Sequence, residues 1–237
     1  MEASQQETVE RVLSLAYSAG ATLAGISNIS DIKQAALERS YPVGEDWLQQ
    51  SKSVLVLALF HPVNKLEMDW WGTENGTVGN DLLKMICEKL KNSLGKELNI
   101  TVRVLKYQPG AMGLFLKDAA VLAGLGCIGA NNLLLTEQYG AHIRLHGLLL
   151  DVDLPGNRIS HFSPCPTCAH PCWKACPQAA FESGSYNRLN CRAQMRKDEL
   201  NRKAIETDQW GWVTFVKYCR ACELACPIGK TSTELAE

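Results

Sequence analysis

The sequence predicts an α/β domain with a mixed sheet, followed by a small cysteine-rich domain built around metal. Three observations carry this. Helical and strand periods alternate through the first two thirds of the chain, and eight of the ten cysteines fall between residues 165 and 226. Between these regions stands a loop run, DLPGNRISHFSP at 153–164, with the turn residues Pro155 and Gly156. The boundary is placed near residue 156, giving domains 1–156 and 157–237.

Residues 7–19 put Val9, Val12, Leu13 and Ala16 on one helical face, with Gly20 as a stop. Strands are expected at TLAGIS (22–27) and SVLVLAL (53–59). A helix over about 79–95 turns Leu82, Leu83, Ile86 and Leu90 inward, and NITVRVLKY (99–107) is a strand. A helix at 114–123 follows, then a strand pair around LLLT (133–136) and HIRLHGLLLDV (142–152).

Composition narrows the class. A hydrophobic content near half supports a genuine core, and a formal charge of −1 gives no general case for nucleic acid or an anionic membrane. No apolar run reaches transmembrane length, and MEASQQETVERV lacks the basic-then-apolar order of a secretory signal. A cytoplasmic protein with no membrane partner is expected. In a reducing cytosol, cysteines in this number point to metal rather than disulfides. GLGCIG (124–129) fits a dinucleotide fingerprint with Asp151 downstream, but it follows a helical stretch where the fingerprint needs a strand. These glycines are read as a helix end and a close backbone approach.

The cysteines carry the strongest signal. Their spacing is Cys165-x2-Cys168-x3-Cys172-x3-Cys176-Pro177, then Cys191, then Cys219-x2-Cys222-x3-Cys226-Pro227. Two-cluster ferredoxins use short runs of this kind ending in Cys-Pro, the last thiolate of a run serving the other cluster. Eight cysteines suffice for two 4Fe–4S clusters. Structural zinc is the competing reading, but it needs neither the third cysteine of a run nor the terminal Cys-Pro. The extra residue between Cys168 and Cys172 requires a bulge at Ala169-His170-Pro171 or an unusual cluster geometry, with His170 either a loop residue or a ligand.

LAGLGCIGANNLLL (122–135) resembles the AGLGWIGKNTLL-type segment of the epoxyqueuosine reductase family. YGAHIRLHGLLLDVDL (139–154), the run CPTCAHPCWKACP, the lone cysteine of NRLNCRA and the run CRACELACP follow in the family's order. The resemblance implies a nitroreductase/cobalamin-processing-like α/β sandwich that binds cobalamin, joined to a C-terminal two-cluster ferredoxin-like domain. By matching positions it implies one cluster on Cys165, Cys168, Cys172 and Cys226, and another on Cys176, Cys191, Cys219 and Cys222. The corrinoid is expected in a cleft lined by 107–113 and 124–132: Tyr107, Gly110, Gly113, Gly124, Gly126, Cys127, Ile128, Gly129, Asn131 and Asn132. Glycines there admit a flat ligand, and the two asparagines offer amides to its side chains.

The sequence also departs from the family. Its acidic D-x-x-P-x-x-E pattern falls on Gly110, Gly113 and Leu116, its tryptophan on Cys127 and its lysine on Ala130. The helical-repeat extension that many members carry after the second run is not expected. These departures lead to a first expectation of cobalamin reduction or processing, with electrons from an external low-potential donor and no tRNA partner. Epoxyqueuosine reduction on tRNA is the alternative, with Asp118 and then Tyr107 as substitute acids, and a non-enzymatic electron carrier is the third reading. Other residues keep two readings each. Cys127 is a reactive thiol or a small buried hydrophobe, and Cys87 is core. Trp70 and Trp71 cover a macrocycle or anchor a loop. His142, Arg144 and His146 line a cleft or a wet face, and Arg192, Arg196 and Lys197 form a solvated helix face or touch tRNA.

Overall fold

A computed structural model describes residues 2–38, 50–72, 76–105, 114–207 and 211–229. In chain order the elements are α1 (Glu2–Ala19), β1 (Leu23–Asn28), α2 (Ile29–Glu38), β2 (Ser53–Phe60), β3 (Trp71–Gly72), β4 (Gly76–Thr77), α3 (Val78–Leu98), β5 (Val102–Val104) and α4 (Leu116–Leu122). They continue as β6 (Cys127–Ile128), β7 (Leu134–Leu135), β8 (Ile143–Leu150), α5 (Pro171–Lys174), α6 (Arg188–Leu200), β9 (Lys203–Thr207), β10 (Gly211–Val216) and α7 (Ala221–Leu224). The chain forms two compact units, neither contiguous in sequence. The first gathers Met1–Leu59, Leu83–Cys127 and Arg144–Phe162, and the second Phe60–Leu82, Ile128–Ile143 and Ser163–Glu237.

The first unit is organised by a sheet of order β1-β2-β8-β5. β1 runs antiparallel to β2, from Leu23 opposite Ala58 to Asn28 opposite Ser53, and β5 antiparallel to β8. Val54 to Ala58 are buried without a break, the signature of a strand covered on both faces. One face carries the core, where Val12 and Ala16 of α1 meet Leu55, Leu57, Leu148 and Leu150 of the sheet. α3 contributes Leu83, Cys87, Leu90 and Leu94, a stripe of helical period. Of the residues expected inward, Leu83 and Leu90 are in the core and Ile86 packs against it, but Leu82 is exposed, because the stripe completed by Cys87 and Leu94 excludes it. At the sheet edge, Asn157 imitates a strand residue. Its Oδ1 accepts from the Ile26 N–H at 2.8 Å and its own N–H donates to the Ile26 carbonyl at 2.9 Å. Gly25 is needed because a Cβ there would stand 2.4 Å from the Ala123 carbonyl at the end of α4.

The second unit carries a sheet of order β4-β3-β10-β9. β9 and β10, to which the sequence analysis assigns no strand, pair antiparallel from Lys203 opposite Phe215 to Thr207 opposite Gly211. Trp70 stacks on Phe215 with centroids 4.6 Å apart, Lys217 lies 4.0 Å over the Trp70 ring, and Trp71 meets Tyr218 edge-on. Both tryptophans thus anchor their segment to β10 and the chain just beyond it. Among the described residues no helix is long and apolar enough to cross a membrane.

Candidate functional site

The site is built from the two cysteine runs of the second unit. Pro164 leads into a 3-10 turn, Cys165–Thr167, closed by the Cys168 N–H on the Cys165 carbonyl at 3.0 Å. His170 then takes up the extra residue of the first run. Its backbone is left-handed (φ 50°), its ring stacks on Trp173 at 4.4 Å, and its Nε2 donates to the Cys165 carbonyl at 3.0 Å. The ring is thereby occupied as a loop brace. Pro171 starts α5, where its missing N–H costs no hydrogen bond, and Cys172 sits inside that turn. The second run repeats the plan: Cys222 lies within α7, and the Cys226 N–H closes on the Glu223 carbonyl at 3.1 Å. Cys191 is carried by α6, whose N-cap Asn187 accepts from the Leu189 and Asn190 N–H groups.

The fold sorts these thiols into two neighbourhoods. Burial pushes the Cys172 thiol up, and the nearby Cys226, Cys165 and Cys168 push it further as like charges. Burial likewise pushes Cys222 up to about 12, helped by Cys219, Cys191, Glu223 and Cys176. Each neighbourhood draws cysteines from both runs. Backbone donors are aimed at the sulfurs: the Ala130 N–H lies 3.2 Å from Cys165 Sγ and the Ala180 N–H 3.3 Å from Cys176 Sγ. Burial pushes the Tyr186 hydroxyl's pKa up, and the neighbouring Cys191 pushes it further. Among the described residues, no three His, Cys, Asp or Glu side chains close on a single metal-ion position.

Much of the glycine-rich segment serves these runs. The Ala130 carbonyl accepts from Trp173 Nε1 at 2.9 Å. Asn131 is buried, its Nδ2 donating to the Cys222 carbonyl at 3.4 Å and its Oδ1 accepting from the Leu133 N–H. A Cβ at Gly129 would stand 2.5 Å from Leu135, and one at Gly124 would stand 2.3 Å from the Arg158 carbonyl. Asn132 is left-handed (φ 59°), Gly126 is buried, and Cys127 and Ile128 are half-buried in β6. Tyr107, Gly110 and Gly113 lie outside the described residues. Asp118 is buried in α4.

One feature of the second unit has no counterpart in sequence spacing, a buried ionic chain. His61 Nδ1 lies 2.9 Å from Asp69 Oδ1, and Asp69 Oδ2 is 2.6 Å from Arg220 Nη1. Arg220 grips Glu223 with Nε at 3.1 Å and Nη2 at 2.5 Å, and Glu223 Oε1 lies 3.3 Å from His142 Nδ1. The His61 N–H closes the chain on the His142 carbonyl at 2.8 Å. His142 is thus a structural partner of the second run. His146 is also buried, and that burial lowers its pKa.

Fold and site together define an α/β protein with two neighbourhoods of cysteines, each drawn from both runs. No family model matches the chain. It is 38% identical over 148 residues to an epoxyqueuosine reductase of Gloeobacter violaceus, covering 56% of this chain and 44% of that protein. Against the enzyme of the same name from Synechocystis the identity is 30%, over 63% of this chain and 52% of the other. The chain spans about half the length of these curated relatives. In fold it matches a crystal structure of epoxyqueuosine reductase with an epoxyqueuosine-modified tRNA-Tyr stem loop, with a TM-score of 0.67, 18% identity, and coverage of 96% of this chain and 67% of the other. A B12-dependent reductive dehalogenase matches with a TM-score of 0.54 and 15% identity, over 71% of this chain and 25% of the other. The chain is similar in sequence to epoxyqueuosine reductases and shares their fold.

Two expectations are corrected by these findings. Corrinoid reduction as the main activity gives way to the tRNA-modifying alternative, because the relatives are named for epoxyqueuosine reduction. The exclusion of tRNA falls with it, since a fold neighbour was solved holding a tRNA stem loop. Both expectations rest on the departures from the family's pattern, chief among them the missing acid at Gly110. A proton donor is defined by where its side chain reaches, and another position in the fold can supply it.

Proposed function

We propose that this chain is an iron–sulfur oxidoreductase of the epoxyqueuosine reductase type. It would take the epoxide oxygen from epoxyqueuosine in tRNA with two electrons and two protons, leaving queuosine and water. The observation that carries the reading is the nearness of Cys226, Cys165 and Cys168 to Cys172, and of Cys219, Cys191 and Cys176 to Cys222, which supports the quartets Cys165, Cys168, Cys172, Cys226 and Cys176, Cys191, Cys219, Cys222. The residues fit two 4Fe–4S clusters: four thiols apiece, with backbone N–H groups aimed at the sulfurs, the arrangement that tunes such clusters. Bound clusters supply electrons one at a time. The short turns of α5 and α7 carry Cys172 and Cys222, α6 carries Cys191, and the Ala130 and Ala180 N–H groups stabilise thiolate charge. The finer architecture proposed is a cobalamin-binding sandwich joined to a ferredoxin-like domain.

Cobalamin as the second cofactor rests on the family resemblance. Of the segment expected to contact it, Gly129, Ala130 and Asn131 are committed to intramolecular packing and to the cysteine runs. The described residues therefore show no cradle for a corrin. Asp118 is proposed as the proton source in place of an acid at Gly110. The test is anaerobic turnover: reconstituted protein, cobalamin, a chemical reductant and epoxyqueuosine-bearing tRNA, with queuosine measured in the nucleoside digest. Queuosine formed in proportion to enzyme supports the reading. Fully loaded clusters with no queuosine refute it.

A further inference from the structure

α6 presents an uncovered face. None of its 13 residues is fully buried, and Leu189 and Leu200 are 72% and 86% exposed. Arg188, Arg192 and Arg196 recur every fourth position, which places them within an arc of roughly 80°. Arg192 and Arg196 pair with no carboxylate among the described residues. The helix's own acids are spent elsewhere: Asp198 accepts from the Cys219 N–H at 2.8 Å and Glu199 from the Tyr218 hydroxyl at 2.9 Å. The outward face is thus cationic and apolar together. Cys191 lies on the same helix, and Tyr186, itself 36% exposed, stands beside it.

We propose that this face of α6 is the docking surface for a small acidic one-electron carrier protein that reduces the cluster held through Cys191. The proposal rests on the iron–sulfur reading above. Charge complementarity selects an acidic partner. Bare leucines gain little from phosphate, whereas tyrosine, methionine and arginine around apolar side chains make a protein-binding composition, so a protein fits better than RNA. A patch on one helix of this length suits the small, transient encounters of electron transfer. The step moves one electron: the carrier is oxidised, the cluster is reduced, and no bond or proton changes.

The test uses reconstituted protein and a plant-type ferredoxin as the carrier. Affinity for the oxidised carrier is read by calorimetry, and cluster bleaching by the reduced carrier is read by rapid mixing, both across a salt series. Combined Arg192→Glu and Arg196→Glu should weaken binding and slow bleaching by about tenfold or more and flatten the salt dependence. Leu189→Ser should weaken both with the salt dependence kept. Iron content and reduction by dithionite should stay at wild-type values in every variant. Unchanged carrier affinity and rate overturn the proposal. So does loss of tRNA stem-loop binding with carrier kinetics intact, which would give the face to RNA. Wild-type protein that takes up no iron refutes the iron–sulfur reading and the proposal with it.

Discussion

Cys87 shows how much of one side chain's fate its neighbours along the chain can dictate. Its place one turn beyond Leu83 marks it as core, and it is fully buried in α3, its thiol pushed up to about 12 by burial and then by Glu88. An unfolded thiol ionises near pH 8.5, so between there and about 12 the unfolded chain sheds a proton that the folded one keeps. Stability should be unaffected by this group below that window and fall as pH rises through it, as denaturant titrations on wild type and Cys87→Ala would register. Native Cys87 should resist alkylation at pH 8 and react once denatured. Cys87→Ser, which buries a hydroxyl, should cost about 1–3 kcal/mol. Asp118→Asn, by contrast, is expected to lower queuosine formation about a hundredfold with iron content unchanged. Equal turnover would dismiss Asp118 as the acid. The ionic chain through Arg220 was beyond the sequence, because the links from Asp69 to Arg220 and from Glu223 to His142 join residues far apart along the chain and obey no period.

At the scale of elements, regular periods were legible and short or borrowed structure was not. α1, α3, β2 and β8 have enough residues for their hydrophobic repeat to stand out. β3, β4, β6 and β7 have two residues each, too few for any pattern, and owe their existence to neighbours. The hairpin of β9 and β10 did carry a signal in GWVTFV, rich in β-branched and aromatic residues, which a reading of this region as cysteine runs alone leaves out. Two elements are open to direct test. Asn187→Ala removes the cap of α6 and should cost about 1 kcal/mol in denaturant unfolding, with iron lost faster to a chelator because Cys191 rides on that helix. Gly25→Ala drives a Cβ towards the Ala123 carbonyl, a backbone atom that cannot step aside. A loss of about 1–3 kcal/mol is expected, with wild-type stability as the contrary result.

At the scale of the molecule, the proposed assignment makes the two cysteine runs interdependent, because each proposed quartet is completed from both. Cys226→Ser should remove the cluster of Cys165 and leave that of Cys219, so iron should fall from about eight to about four per chain. Loss of the Cys219 cluster instead would reverse the assignment. The second unit also joins segments that the sequence separates, bringing 60–82 and 128–143 to the cysteine region, and no linear reading of composition reports such a union. The binding of Ala130 to Cys165 belongs here too: a backbone N–H makes the contact, so residue identity leaves no trace of it. The ionic chain from His61 to His142 gives that union a support independent of iron. Arg220 stands between Cys219 and Cys222, and its two carboxylate partners are buried, so Arg220→Ala should cost about 3–5 kcal/mol. With Arg220 in place, a chain stripped by a chelator should keep its near-ultraviolet circular dichroism. A protein whose clusters are burnt out by oxygen would then remain a shaped, empty mould. On the iron–sulfur reading proposed above, such a chain would be open to refilling, where one folded only by its iron would be lost to proteolysis.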